Sequence, residues 1–196
     1  KRNPIMIKNS ISSICVFCGS RSGSKGEFSE AATHLGRQLA RNNYKLVYGA
    51  GNIGLMGDIA EACEKAGGDV LGVMPKKLTS KEIGRRSIRS FIITEDMHER
   101  KKVMYMNSHA VIAMPGGIGT LEELFEMITW KQLAFHKKPI YLLNILDFWS
   151  KTIEALQGIV ELGFAEKTML NHFKVCQSVD EIFLDLESST LIESDE

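Results

Sequence analysis

Two short stretches of this chain carry residues whose types and spacing suit chemistry on a phosphorylated molecule. In Met114-Pro115-Gly116-Gly117-Ile118-Gly119-Thr120-Leu121-Glu122-Glu123 an apolar run turns through glycines into a helix-like segment. A strand that turns this way points bare backbone N–H groups and the positive end of a helix dipole at one spot, which suits a phosphate. Gly116, Gly117 and Gly119 let backbone approach an anion closely, and Thr120 adds a hydroxyl donor. Glu123 puts a carboxylate one turn on, which a plain phosphate cradle does not need. The second stretch, Met97-His98-Glu99-Arg100-Lys101-Lys102, opens another helix behind Asp96 as N-cap. Cations early in a helix oppose its dipole, so Arg100 and Lys101 make better sense facing an anion, one as a rigid fork and the other as a point charge.

Both stretches also have plainer readings. Met97–Lys102 can be a solvated, charged first turn. Thr120-Leu121-Glu122-Glu123 is itself a capping box, so either acid can be satisfying a helix start. If Glu123 does sit beside a helix N-terminus, the dipole should favour its charged form. Gly49-Ala50-Gly51-Asn52-Ile53-Gly54 fits the dinucleotide pattern G-x-G-x-x-G, but follows the second strand candidate rather than the first. No acid ends the next strand, which runs into Pro75-Lys76-Lys77, so the ribose-binding carboxylate that NAD wants is missing.

The elements that must position these groups alternate along the chain. Strand candidates are Ile14–Cys18, Lys45–Tyr48, Val70–Met74, Phe91–Thr94, Val111–Met114, Ile140–Leu143 and Lys174–Cys176. Helical candidates are Phe28–Arg41, Leu55–Ala66, Met97–Ser108, Thr120–Ala134, Phe148–Glu161 and Val179–Leu186. Strands apolar on both faces, such as Val111-Ile112-Ala113-Met114, predict a doubly wound, mostly parallel α/β sheet with helices on both faces, of Rossmann-like type. One domain over 13–187 is expected, with a tail of 1–12 and a frayed tail of 188–196. The stretch Lys76–Arg89 reads as a surface loop or short helix. The helix from Thr120 is apolar on more than one face (Leu121, Leu124, Phe125, Met127, Ile128, Trp130, Leu133), which points to a homodimer built around it.

Composition narrows the partners. Lys and Arg number 24 and Asp and Glu number 24, so no global field recruits nucleic acid or an anionic membrane. The apolar runs are too short to span a bilayer, and Lys1–Met6 lacks a signal-peptide core. Four scattered cysteines do not resemble a disulfide framework. Cys15-Val16-Phe17-Cys18 has redox spacing, but lies in a strand that sends the two sulfurs to opposite faces. Buried thiols in a reducing, cytoplasmic compartment are the expectation. Five dispersed histidines offer no metal-ligand spacing, and neither metal nor organic cofactor is expected.

Taken in order, these stretches resemble the LOG ("lonely guy") family, cytokinin-activating nucleoside 5′-monophosphate phosphoribohydrolases often labelled lysine decarboxylases. The motifs are Pro115–Glu123 and Met97–Lys101. They are supported by Cys18-Gly19-Ser20, Val47–Gly51, Gly54-Leu55-Met56-Gly57, Gly72-Val73-Met74-Pro75 and Ile128–Leu133. The likeness covers roughly Ser13 to Leu186. It implies Arg100 and Glu123 as the catalytic pair and a cradle at Gly116, Gly117, Gly119 and Thr120. It further implies Lys101, Glu82, Glu122, Thr129, Ser20 and Gly51 at the substrate, a small-molecule nucleoside monophosphate. The reaction implied is hydrolysis of the N-glycosidic bond of AMP-type or N6-prenylated nucleotides. A non-catalytic nucleotide or cofactor carrier of the same fold is the alternative, and it needs the anion site but no acid. Ala50 replaces the commoner middle glycine and Ile118 a frequent aromatic; both reshape a pocket without removing chemical groups.

Overall fold

Alternation along the first strand, β1 (Ser13–Phe17), divides its side chains between two cores, one on each face of a sheet. A computed structural model describes residues 11–79 and 90–192. In chain order, β1 is followed by α1 (Gly26–Arg41), β2 (Lys45–Tyr48), α2 (Gly54–Lys65), β3 (Val70–Pro75) and β4 (Ser90–Thr94). Then come α3 (Met97–Met106), β5 (Ala110–Ala113), α4 (Ile118–Gln132), β6 (Ile140–Leu143), α5 (Ser150–Glu161), β7 (Lys174–Cys176) and α6 (Val179–Ile192). All neighbouring strands pair in parallel, in the order β4-β3-β2-β1-β5-β6-β7. The expected doubly wound α/β sheet is the fold.

Ile14 and Val16 face a core built with Leu35 and Leu39 of α1, Ile59 and Cys63 of α2, and Ile182 of α6. Cys15 and Phe17 face the other, with Met104 of α3, Leu124, Met127 and Ile128 of α4, and Leu156 of α5. Cys18 belongs to the first core, so the two thiols of the C-x-x-C spacing do part to opposite faces. All four cysteines are free and buried, and burial pushes each thiol up, Cys63 to about 12 and Cys176 to about 11. Cys15, Cys63 and Cys176 are packing residues, and Cys18 also borders the cavity beyond β1.

The sheet order reverses direction between β1 and β5. Chains leaving these two strands diverge to opposite sides and leave a crevice beyond their carboxyl ends, where ligands of open α/β sheets bind. That crevice is where the glycine turn after β5 lies.

Most boundaries fall within two residues of the sequence expectation; three of the differences have consequences. Helix α4 begins at Ile118, because Gly117 rather than Thr120 takes the N-cap position. Helix α5 begins at Ser150, because Leu146 and Asp147 adopt left-handed backbone (φ 51° and 56°) in a 3-10 turn, Ile145–Asp147, ahead of it. Helix α6 continues past Leu186 to Ile192. Of the charged stretch after β3, Lys76–Leu78 forms a 3-10 turn, and 80–89 lie outside the described residues.

Candidate active site

The first turn of α4 has no side-chain cap and carries no acidic residue. Its N–H groups therefore stay available at the β1/β5 crevice, which holds a cavity of about 290 Å³. Gly117, Gly119 and Thr120 form one wall. The glycines there have different reasons. A side chain on Gly116 would fall 2.1 Å from Thr120 Oγ1 and 2.9 Å from the Gly19 nitrogen, so its bareness lets the β1 and β5 loops close on each other. Gly19 N–H donates to Pro115 O at 3.0 Å across that junction. Among the described residues, none beyond their own chain neighbours and helix backbone comes within 4 Å of a side chain built on Gly117 or Gly119. Their bareness leaves space that packing does not use, which is what a backbone cradle for a ligand requires.

Arg100 and Glu123 line the same cavity from α3 and α4. Helix α3 is started as the sequence suggests: Asp96 Oδ1 accepts from Glu99 N–H at 2.8 Å, while Glu99 Oε2 accepts from Glu95 N–H at 2.7 Å. This cap fixes the turn that bears Arg100. The guanidinium is only 7% exposed; its Nε donates to Val73 O at 3.1 Å and its Nη2 to Gly49 O at 2.8 Å. Met56, Met97 and Met104 make the apolar side of the cavity, and Ser20 reaches it from the β1 loop.

Glu123 overturns two expectations. With the N-cap at Gly117, it sits in the second turn of α4, so Thr120–Glu123 is not a capping box. Nor is its charged form favoured. Burial pushes the carboxyl up to about 7 from its ordinary 4.5, with Arg100 pulling it down and Glu122 adding to the rise. Desolvation at 9% exposure outweighs the pull of Arg100.

Lys101 also departs from expectation. Its ammonium is buried between Glu122 and Glu126 of α4 rather than turned toward the glycine cradle. Burial lowers its pKa, but the hydrogen bonds to these two acids outweigh that and hold it above the ordinary value. It ties α3 to α4, and Glu122 serves as its partner. Thr129 is exposed about three turns along α4, donating to Phe125 O at 2.7 Å, and does not line the cavity. Gly51 does not line it either. A side chain there would meet Met56 Cε at 2.8 Å, so its role is to make room for that cavity wall. Glu82 lies outside the described residues. Sequence reasoning passed over the methionine wall, since scattered methionines have no spacing that sets them apart from core.

A second cleft of about 310 Å³ shares Ser20 and Gly117 with the first and is floored by Phe28, Leu55 and Phe148. Together the two form a trough across the α4 N-terminus. A more open groove between α1 and α2, with Arg37, Arg41 and Lys65 on its walls, lies away from it.

A family model described as "possible lysine decarboxylase" matches residues 56–186. The chain is 41% identical over 183 residues to cytokinin riboside 5′-monophosphate phosphoribohydrolase LOG5 of Arabidopsis thaliana, covering 93% of this chain and 80% of that one. To LOG2 of the same plant it is 46% identical over 155 residues, 79% of this chain and 73% of the relative. The chain belongs to the LOG family. Among solved structures it is similar to the molybdenum cofactor carrier protein of Chlamydomonas reinhardtii. There the TM-score is 0.70 at 19% identity, over 93% of this chain and 99% of that one. The molybdenum cofactor binding protein of Rippkaea orientalis gives TM-score 0.70 at 22% identity, over 92% and 98%. At such identities the likeness concerns the fold alone; the LOG relatives are the ones that share 41–46% of the sequence over most of the chain.

Proposed function

We propose that this chain hydrolyses the N-glycosidic bond of AMP-type or N6-prenylated nucleoside 5′-monophosphates, giving the free base and ribose 5-phosphate. The observation that carries the reading is the meeting of Arg100 and Glu123 in one cavity with the uncapped N-terminus of α4. The cradle takes the phosphate through backbone N–H groups and Thr120, and binding energy from that remote group orients the sugar. Breaking the bond from the anomeric carbon to the base leaves its electron pair on the base and an oxocarbenium-like sugar. The oxygen of a water molecule then bonds to that carbon. Glu123, as the carboxylate, stabilises the sugar cation and takes the proton that the water gives up, while the departing base takes up one proton from solvent to become the free base. A carboxyl titrating at about 7 is a stronger base than an ordinary glutamate. Arg100 contributes fixed positive charge; its guanidinium stays protonated and does not serve as the acid. The methionine wall offers an adaptable apolar surface to the base.

The assembly we propose is a homodimer about α4. Ile118, Phe125 and Leu133 remain exposed on this helix after its other face is buried. Thr129 shares a face with Phe125 and Glu122 by helical spacing, so any contact of Thr129 with substrate belongs to that interface. The four free thiols fit a reducing compartment, and we place the protein in the cytoplasm. None of the described helices is long and apolar enough to cross a membrane.

Incubating the purified chain with AMP, isopentenyladenosine monophosphate and the matching nucleosides tests the reaction. Free base and ribose 5-phosphate should form from the monophosphates, with the nucleosides turned over far more slowly because the positioning phosphate is gone. Equal turnover of nucleoside and monophosphate would refute the reading.

A further inference from the structure

The glycine stretch after β2 resembles a dinucleotide turn in sequence, yet its first glycine touches the catalytic machinery. Tyr48 and Gly72 form the last register pair between β2 and β3. Immediately beyond them, where β2 gives way to its loop, the guanidinium of Arg100 lies against the backbone and takes Gly49 O and Val73 O as acceptors. Two charge-assisted hydrogen bonds to backbone fix its plane and offset the unfavourable place of a cation in the first helical turn.

That approach leaves no room for a side chain. A methyl group on Gly49 would fall 1.9 Å from Arg100 Nη2 and 3.0 Å from Cζ. Resting on the reading of Arg100 as a catalytic residue, we propose that Gly49 is its positioning residue: the missing side chain is the seat that holds the guanidinium at the cavity. The obstructions are the ends of two long side chains, Arg100 foremost and Met56 Sδ at 3.1 Å, not backbone, and Gly49 does not have positive φ. An alanine there displaces the arginine and leaves the fold in place. Gly54 is the contrast. It has φ +62°, and a side chain on it would meet the Ser20 carbonyl carbon at 2.4 Å, so glycine there serves the backbone itself.

The experiment compares AMP hydrolysis by Gly49→Ala, Arg100→Ala and the double variant, with thermal unfolding of each. Gly49→Ala should lose about a hundredfold in kcat with a smaller change in KM, as a misplaced group does. Its Tm should fall by less than about 4 °C. The double variant should be no slower than Arg100→Ala, because the glycine acts only through the arginine. Wild-type turnover by Gly49→Ala beside a crippled Arg100→Ala would overturn the proposal, as would a further full loss in the double variant. Unimpaired Arg100→Ala would overturn the catalytic reading, and the proposal with it. Should Gly49→Ala not fold, NMR of the wild-type guanidinium decides. Slowly rotating, resolved Arg100 Nη signals support the seat, and fully averaged ones overturn it.

Discussion

In the reaction we propose, Glu123 concentrates the chemistry and the instability of the site in one side chain. Its carboxyl titrates at about 7 in the fold and near 4.5 when unfolded, because burial penalises the charge. The folded state therefore holds the proton more tightly. The stability this provides is full below about pH 4.5 and is lost as pH rises through about 7, a ceiling of roughly 3 kcal/mol. Glutamine has nearly the same shape and never ionises. Glu123→Gln should thus be more stable than wild type at pH 8, with the difference shrinking at pH 5, read as Tm at both values. A difference independent of pH would contradict the burial account. The same titration should put an acid limb near pH 7 on kcat/KM, absent from the residual activity of Glu123→Gln. None of this is legible in the sequence. Spacing places Glu123 near a helix start, where local rules promise a charged cap; its neutralisation depends on how much of the tertiary fold closes over it. Ala50 makes a similar point. It holds φ +60°, a backbone conformation that favours glycine, and its methyl is fully buried in the core, which offsets the strain.

Helices α3 and α4 carry the two halves of the site, and Lys101 joins them. Its partners Glu122 and Glu126 keep side-chain exposures of 52% and 22%, so solvent still screens them in part. Lys101→Met would leave two carboxylates facing an apolar stem. The expected loss is about 1–2 kcal/mol in urea unfolding, below the full figure for a buried ion pair. Removing a charge that now lowers the Glu123 pKa should also move the acid limb upward. At this scale the sequence was largely readable. Apolar runs and amphipathic periods placed the strands and helices, and the Asp96 cap was visible as a motif. Misreadings came where one local rule met another. Thr120 has the chemistry of a cap, but Gly117 takes the position because the chain must turn sharply after β5. Lys101 sits in a motif beside Arg100, yet helix spacing sends the two side chains to different surroundings.

For the whole molecule, parallel pairing and the reversal between β1 and β5 bring residues distant in sequence to one crevice. The fold class follows from composition and period, whereas the contact of Arg100 with Gly49 does not, since backbone acceptors leave no mark on residue types. The exposed apolar face of α4 belongs to this scale too. Light scattering should give a particle of twice 21.9 kDa, and Phe125→Asp should reduce it to one chain by setting a charge in the interface. A wild-type particle of one chain would refute the dimer. The central claim, that Glu123 acts on the glycosidic bond, is tested most directly by turnover of a nucleoside monophosphate by folded Glu123→Gln. The account predicts a fall in kcat on the order of a hundredfold or more with the fold retained, because the charge that stabilises the sugar cation and accepts the water's proton is gone. Turnover near that of the wild type would contradict it.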